Sequence, residues 1–204
     1  MALSAVGIAT ITKVKKPSQL LFACIPIFFA LQQFAEGILW LTFANPGYLI
    51  LQKISTQVFI IMAQVIWPAL VPFSVFLLEK NRKRKILLAA LSLGGLFVAL
   101  IGLYYLVFYP VQADISYRHL VYQNNSQGGL SQLDLAIYFT VTVGPLLVSG
   151  IKRMDILGLI MGLSFIVSAL FYLQCLTSVW CFFAAAISFV IYFIERDLSR
   201  REVA

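Results

Sequence analysis

A succession of long apolar runs, separated by short polar clusters, constrains the fold of this chain more than any other feature. A helix needs roughly 20 apolar residues to cross the ~30 Å hydrocarbon core of a bilayer. The alternation of polar and apolar residues that is typical of an outer-membrane barrel is absent. With 61% hydrophobic and 11% charged residues, the chain predicts an all-α transmembrane bundle. The runs cover residues 20–44, 56–78, 86–109, 135–150, 156–174 and 177–194.

A shorter apolar run, ALSAVGIATIT, precedes these and brings the predicted number of segments to seven. Its length corresponds to roughly 18 Å of helix, less than the hydrocarbon core. A signal peptide is disfavoured because the basic residues follow the run instead of preceding it. We expect a truncated or misplaced start, and the alternative is a half-helix packed against its neighbours.

The basic residues predict the orientation. They cluster after segments one, three, five and seven, at residues 13–16, 80–85, 152–153 and 196–201. The alternate connections hold Lys53, Arg118 and no basic residue. The positive-inside rule therefore predicts an outer N-terminus, seven crossings and a cytoplasmic C-terminus, in one domain of residues 1–204 with a long outer loop at 111–134. This topology accounts for the net charge of +7 without a nucleic-acid partner.

One acidic side chain, Glu36, lies inside an apolar run, in the stretch ALQQFAEGILW. A carboxylate near the bilayer centre costs about 2.5–3.5 kcal/mol on insertion scales, and such residues usually face the bundle interior or a water-filled cavity. At about 100° per residue, Gln32 and Gln33 flank Glu36 on the same helix face as Trp40. These four residues predict a polar wedge that binds a ligand.

The next segment contributes two more candidate ligand-binding residues. Gln64 is expected at the depth of Glu36, with Trp67 just below it. Arg118 and His119, in the outer loop, are candidates to cap the pocket as cations. A protonated Glu36 bonded to Gln64 could equally serve only to join helices, because such contacts contribute ~0.6–2 kcal/mol each.

Several classes of membrane protein are excluded by residues that the chain lacks. The last segment contains no lysine for a retinal Schiff base, and one histidine cannot supply the zinc site of a ceramidase-like hydrolase. The serine motif of a rhomboid protease and the CxxC of a thiol oxidoreductase are also missing. We predict no metal site and no cofactor.

The stretch IPIFFALQQFAEGILWL, residues 25–41, resembles a family of uncharacterised bacterial integral membrane proteins whose second helix reads IPLxFxxQQxxEGxxW. The pattern falls on Pro26, Gln32, Gln33, Glu36, Gly37 and Trp40. In that family a full first helix precedes the basic turn, which this chain lacks. The resemblance implies a helical bundle in a bacterial inner membrane, and it implies no chemistry.

Three functional hypotheses follow. The first is binding, for transport or sensing, of a small molecule or ion in an outward-facing polar pocket centred on Glu36. The second is a membrane-embedded enzyme that acts on lipid with Glu36 and His119 as acid and base, which the absence of a nucleophile or metal cluster disfavours. The third is a structural or assembly subunit. The lipid bilayer is the expected partner, and the oligomeric state stays open.

Overall fold

A computed structural model of the chain describes residues 2–116, 119–124 and 131–203. The chain is mostly helical, at 82%. The helices are α1 (Ala2–Ile11), α2 (Pro17–Ala23), α3 (Ile25–Thr42), α4 (Leu49–Ile61), α5 (Trp67–Leu78), α6 (Arg82–Phe108), α7 (Gln132–Val148), α8 (Met154–Phe171), α9 (Leu176–Ile187) and α10 (Val190–Val203). Short 3₁₀ turns at Pro46–Tyr48 and Leu173–Cys175 precede α4 and α9, and a π-helical turn at Met62–Ile66 joins α4 to α5.

Five helical stretches of the described residues are long and apolar enough to cross a membrane. They are Pro17–Thr42, Leu49–Leu78, Arg82–Phe108, Met154–Phe171 and Leu173–Arg200. Helices α1 and α7 are apolar but shorter. The prediction of a helical membrane bundle is confirmed at this level, and the seven crossings and their orientation stay predictions.

Two helices begin earlier than the hydropathy pattern predicts, because charged residues are part of them. The hydropathy pattern places Lys53 in a connection, but helix α4 includes it, and its side chain is exposed there. A lysine near a helix end can extend its charge away from apolar surroundings. Helix α6 begins within the basic cluster, where the Asn81 side chain accepts hydrogen bonds from the backbone N–H groups of Lys83 and Arg84. Such a cap satisfies donors that the first turn leaves free.

The predicted outer loop contains an antiparallel hairpin, so the expectation of an all-α chain is wrong here. Strands β1 (Val111–Ser116) and β2 (His119–Asn124) pair from Val111 with Asn124 to Ser116 with His119. Strand β1 packs on α4 and β2 on α9, which buries Val111 and Leu120. A hairpin alone is marginal in water, so this packing accounts for strands that the sequence pattern did not reveal.

The main core lies where α2, α3 and α5 meet α6 to α10. It contains buried apolar side chains from every one of these helices, among them Phe22, Phe29, Trp67, Leu88, Leu146, Met154, Ala184 and Ile194. Helix α1 packs on α3 and α10, and Gly7 lies close to Ile27. The short first segment is therefore packed against its neighbours.

Glu79 joins two connections of the bundle. Its carboxylate accepts hydrogen bonds from the backbone N–H groups of Lys80, Asn81 and Gly150 and from the hydroxyl of Ser149. Burial alone would raise the pKa of this carboxyl, but these donors together lower it below the ordinary value. The ionised Glu79 therefore links the end of α5 to the turn between α7 and α8.

Candidate functional site

Gln32 is fully buried and joins four helices. The indole N–H of Trp67 on α5 donates to Gln32 Oε1 at 2.7 Å. Gln32 Nε2 lies 3.3 Å from both the carbonyl oxygen of Phe59 on α4 and the Sγ of Cys181 on α9. A buried amide with these partners acts as interhelical glue.

Glu36 lies one turn further along α3 and is 6% exposed. The hydroxyl of Ser178 donates to Glu36 Oε1 at 2.5 Å, and Gln33 Nε2 donates to Oε2 at 3.3 Å. Ser178 belongs to the first turn of α9, whose helix dipole places partial positive charge beside the carboxylate. None of the ion pairs of the described residues involves Glu36. Within the described ranges, the partners of this carboxyl group are therefore neutral donors and a helix end.

Tyr122 of β2 brings a second hydroxyl to this region, beside that of Ser178. Its ring stacks on Phe59, with centroids 4.6 Å apart, and its hydroxyl is buried without a hydrogen-bond partner among the described residues. Burial raises the pKa of Tyr122, and negative charge on the nearby Glu36 raises it further. The phenol therefore stays protonated at neutral pH and offers an unused donor. We define Gln33, Glu36, Tyr122, Ser178 and Cys181 as the Glu36 cluster.

A small cavity of about 40 Å³ adjoins this cluster. Cys181 and Trp67, which bond to Gln32, line it together with Trp180. Its wall is almost entirely apolar, because the hydroxyls of Thr142 and Ser188 are bonded to backbone carbonyls, so it lacks the polar partners that would hold water. Glu36 is not among its lining residues. The outward-opening polar pocket around Glu36 stays a prediction.

The other predicted ligand-binding residues lie in different surroundings. Trp40 is 45% exposed on the outside of α3. Trp67 is buried between Gln32 and the ring of Phe29, on which it stacks. Gln64 lies half-buried in the π-helical turn, and no hydrogen bond of the described residues joins it to Glu36. A π-helical turn changes the direction in which the following side chains point around the helix. The hydrogen-bond partner of Glu36 is Ser178 of α9 instead.

Of the two predicted caps, the structure places only His119. Its ring packs edge-on against Tyr172 at 5.2 Å, and no contact within the described ranges links it to Glu36. Arg118 lies outside the described residues. In the part of the chain that the structure describes, no group of three or more His, Cys, Asp or Glu side chains could hold a metal ion.

Sequence reasoning missed Ser178, Cys181 and Tyr122. Ser178 and Cys181 are three residues apart on the last apolar segment, so they share one helix face. This spacing is a sequence pattern that could have indicated a polar face on that helix. Tyr122 lies in a short stretch of mixed apolar and polar residues, for which the sequence predicts a loop. Only the docking of the hairpin brings its ring to Phe59.

The family comparison covers the entire chain. Residues 1–204 match the model of the family of unknown function DUF6629. The chain belongs to this family. No curated protein and no solved structure matches it. Membership in DUF6629 confirms the resemblance to an uncharacterised family, whereas the bacterial origin and the motif at residues 25–41 stay predictions.

Proposed function

We propose that this DUF6629 protein binds a small cation or a small cationic molecule at the Glu36 cluster, and that it transports or senses this ligand. The proposal extends to an orientation with the N-terminus outside and the C-terminus in the cytoplasm of a bacterial inner membrane, with the site in the outer half. The four basic clusters support this orientation, because each follows an alternate segment.

The observation that carries the proposal is a buried carboxyl group whose hydrogen-bond donors are neutral, and to which no cationic side chain of the described residues is bonded. A carboxylate in low-dielectric surroundings is costly unless it is paired, and it then gains a proton or a cation. Ser178 and Gln33 occupy one oxygen each, and both side chains also have oxygens that can contact a cation. Exchange of a proton for a cation at Glu36 would couple ligand occupancy to pH.

The test is ligand-induced stabilisation of the full-length protein in liposomes. Thermal unfolding is measured in Na⁺, K⁺ or methylammonium chloride, with N-methyl-D-glucamine chloride holding the ionic strength constant. A cation at 100 times its dissociation constant stabilises the folded state by about 2.7 kcal/mol. We expect one of these cations to raise the unfolding temperature and to release protons. The Glu36→Gln variant is expected to lose both responses.

Glu195 provides the matched control, because its carboxyl group is also buried but lies outside the Glu36 cluster, and it has no hydrogen-bond partner among the described residues. Glu195→Gln is expected to keep the cation response. The proposal fails if Glu36→Gln retains the response, or if none of the cations shifts the wild-type unfolding temperature.

A further inference from the structure

An open apolar groove of about 670 Å³ runs along the outside of the bundle. Helices α5 and α6 form its floor and one wall, and Leu21 of α2 and Phe28 of α3 close the other side. We call it the α5–α6 groove. Ser92 is the one polar side chain among its lining residues, and Leu93 and Leu100 are 70% and 56% exposed. Only 17% of the most apolar part of α6 is buried, so the groove faces the lipid.

The floor of the groove is a single stripe of α6 that continues into the basic cluster. Ala89, Ser92, Leu96 and Leu103 line the groove and are spaced three, four or seven residues apart, as on one helix face. Fourteen helical steps separate Ala89 from Leu103, which is about 21 Å. This length exceeds half of the ~30 Å hydrocarbon core, so it accommodates an extended acyl chain of one leaflet.

A positive charge lies at one end of this stripe. Lys85 is one turn before Ala89 on the same face, and its Nζ lies 5.1 Å from the ring centroid of Phe76, which itself lines the groove. Arg82 lies three residues before Lys85 and is also exposed. The groove therefore has an apolar interior and a cationic mouth at the end of a membrane-spanning helix.

The basic residues at the mouth of the groove indicate which kind of molecule binds there. Clusters of Lys and Arg at a membrane boundary attract anionic phospholipids, whereas an uncharged lipid gains nothing from them. A second copy of this chain, related by a two-fold axis along the membrane normal, would bring the two basic mouths to the same side and repel. We propose that the α5–α6 groove binds an anionic phospholipid, with an acyl chain in the groove and the phosphate at Lys85 and Arg82.

The headgroup is tested by native mass spectrometry of the full-length protein in detergent with added phosphatidylglycerol or phosphatidylcholine of identical acyl chains. We expect the wild type to retain phosphatidylglycerol in preference. Lys85→Gln is expected to weaken this preference about five-fold, the effect of one basic residue near the surface. Lys83→Gln is the matched control, because it removes the same charge about 200° around the helix.

The acyl chain is tested by filling the groove. Ala89→Phe places a ring on the floor and is expected to reduce the retention of both lipids. Ala90→Phe adds the same ring on the neighbouring exposed face and is expected to leave retention unchanged. The unfolding temperatures of both variants establish that they fold. If Ala89→Phe does not fold, the proposal is tested by the comparison of Lys85→Gln with Lys83→Gln, because both lysines are exposed.

Three results would overturn the proposal. Equal losses in Lys85→Gln and Lys83→Gln would indicate general charge attraction, with no site on the stripe. Equal retention of the two lipids by the wild type would show that the protein does not recognise the anionic headgroup. A dimer that excludes lipid and that Ala89→Phe disrupts would identify a second copy as the occupant.

Discussion

At the scale of single residues, the polar side chains of α3 divide into two roles. The side-chain oxygen and nitrogen of Gln32 are hydrogen-bonded to α4, α5 and α9, so both polar atoms serve in contacts between helices. Among the described residues, Glu36, four residues later, is bonded to Ser178 and Gln33. The glue hypothesis is therefore supported at Gln32, and ligand binding at Glu36 stays a proposal.

The first residue-scale prediction concerns the hydrogen bonds that Gln32 makes between helices. Gln32→Leu leaves the buried indole N–H of Trp67 without its acceptor, and an unsatisfied buried donor costs about 1–3 kcal/mol. We expect a clear fall in the unfolding temperature of the detergent-solubilised protein. Gln33→Leu, at the half-buried neighbouring position, is expected to lower it less.

A double-mutant cycle checks the cause. Trp67→Phe removes the donor, so the Gln32→Leu, Trp67→Phe double variant is expected to be more stable than the sum of the two single losses predicts. Additive losses would show that the Gln32–Trp67 bond contributes no coupling energy to the fold.

At the scale of elements, two prolines and two glycines explain how α5 and α6 pack. Prolines have no N–H group, so Pro68 cannot donate to the carbonyl of Gln64, and Pro72 cannot donate to the carbonyl of Pro68. The Gln64 carbonyl faces Gly102 on α6, where a Cβ atom would lie 2.7 Å from its oxygen. The Pro68 carbonyl faces Gly95, where a Cβ atom would lie 1.9 Å from its oxygen. Because glycine has no side chain, the α6 backbone approaches the irregular backbone of the π-helical turn and α5.

Gly95→Ala is therefore expected to destabilise the protein, since the new methyl group would overlap the Pro68 carbonyl and the helices must separate. Overpacking of this kind typically costs about 1–3 kcal/mol. Gly94→Ala is the control one residue away, where a Cβ would meet only the Val141 side chain at 3.5 Å. Its unfolding temperature is expected to be unchanged or slightly raised, because alanine favours helix over glycine. Equal unfolding temperatures for the two variants would contradict this account of the helix seam.

At the scale of the whole molecule, two of the buried carboxyls among the described residues, those of Glu36 and Glu195, lie on separate helices. Ser178, which binds Glu36, and Glu195 are 17 residues apart along the stretch Leu173–Arg200, or about 25 Å of helix. That distance is close to the ~30 Å hydrocarbon core, so we expect the two carboxyls near its opposite ends if this stretch crosses a membrane. The proposed orientation would put Glu36 in the outer half and Glu195 in the inner half.

The orientation is tested with single cysteines in a background where Cys24, Cys175 and Cys181 are alanine. Asp114→Cys lies in the hairpin, on the side predicted to be outside, and Lys83→Cys lies in the basic start of α6. In intact bacteria that express the protein, an impermeant maleimide is expected to label Asp114→Cys at once. Lys83→Cys is expected to react only after the cells are permeabilised. The opposite pattern would reverse the orientation.

Most of the helical architecture could be predicted because apolar runs and their breaks are local properties of the chain. The transmembrane stretches agree with the hydropathy segments within a few residues at most ends, and α4 departs because Lys53 is tolerated on a helix. The hairpin at 111–124 could not be predicted in the same way. Its strands depend on surfaces of α4 and α9 that are distant in the chain.

The amino-acid sequence alone indicates that this protein is helical and suited to a membrane, that it belongs with an uncharacterised family, and that Glu36 is the unusual charge. Residue types and their periodicity carry this information, because burial of backbone polar groups in lipid permits few alternatives. The packing of the helices is needed to show that Gln32 binds Trp67, that Glu36 meets Ser178 instead of Gln64, and that Tyr122 reaches the cluster. Those pairings depend on helix rotation at the π-helical turn and on contacts across up to about 140 residues, which no local pattern encodes.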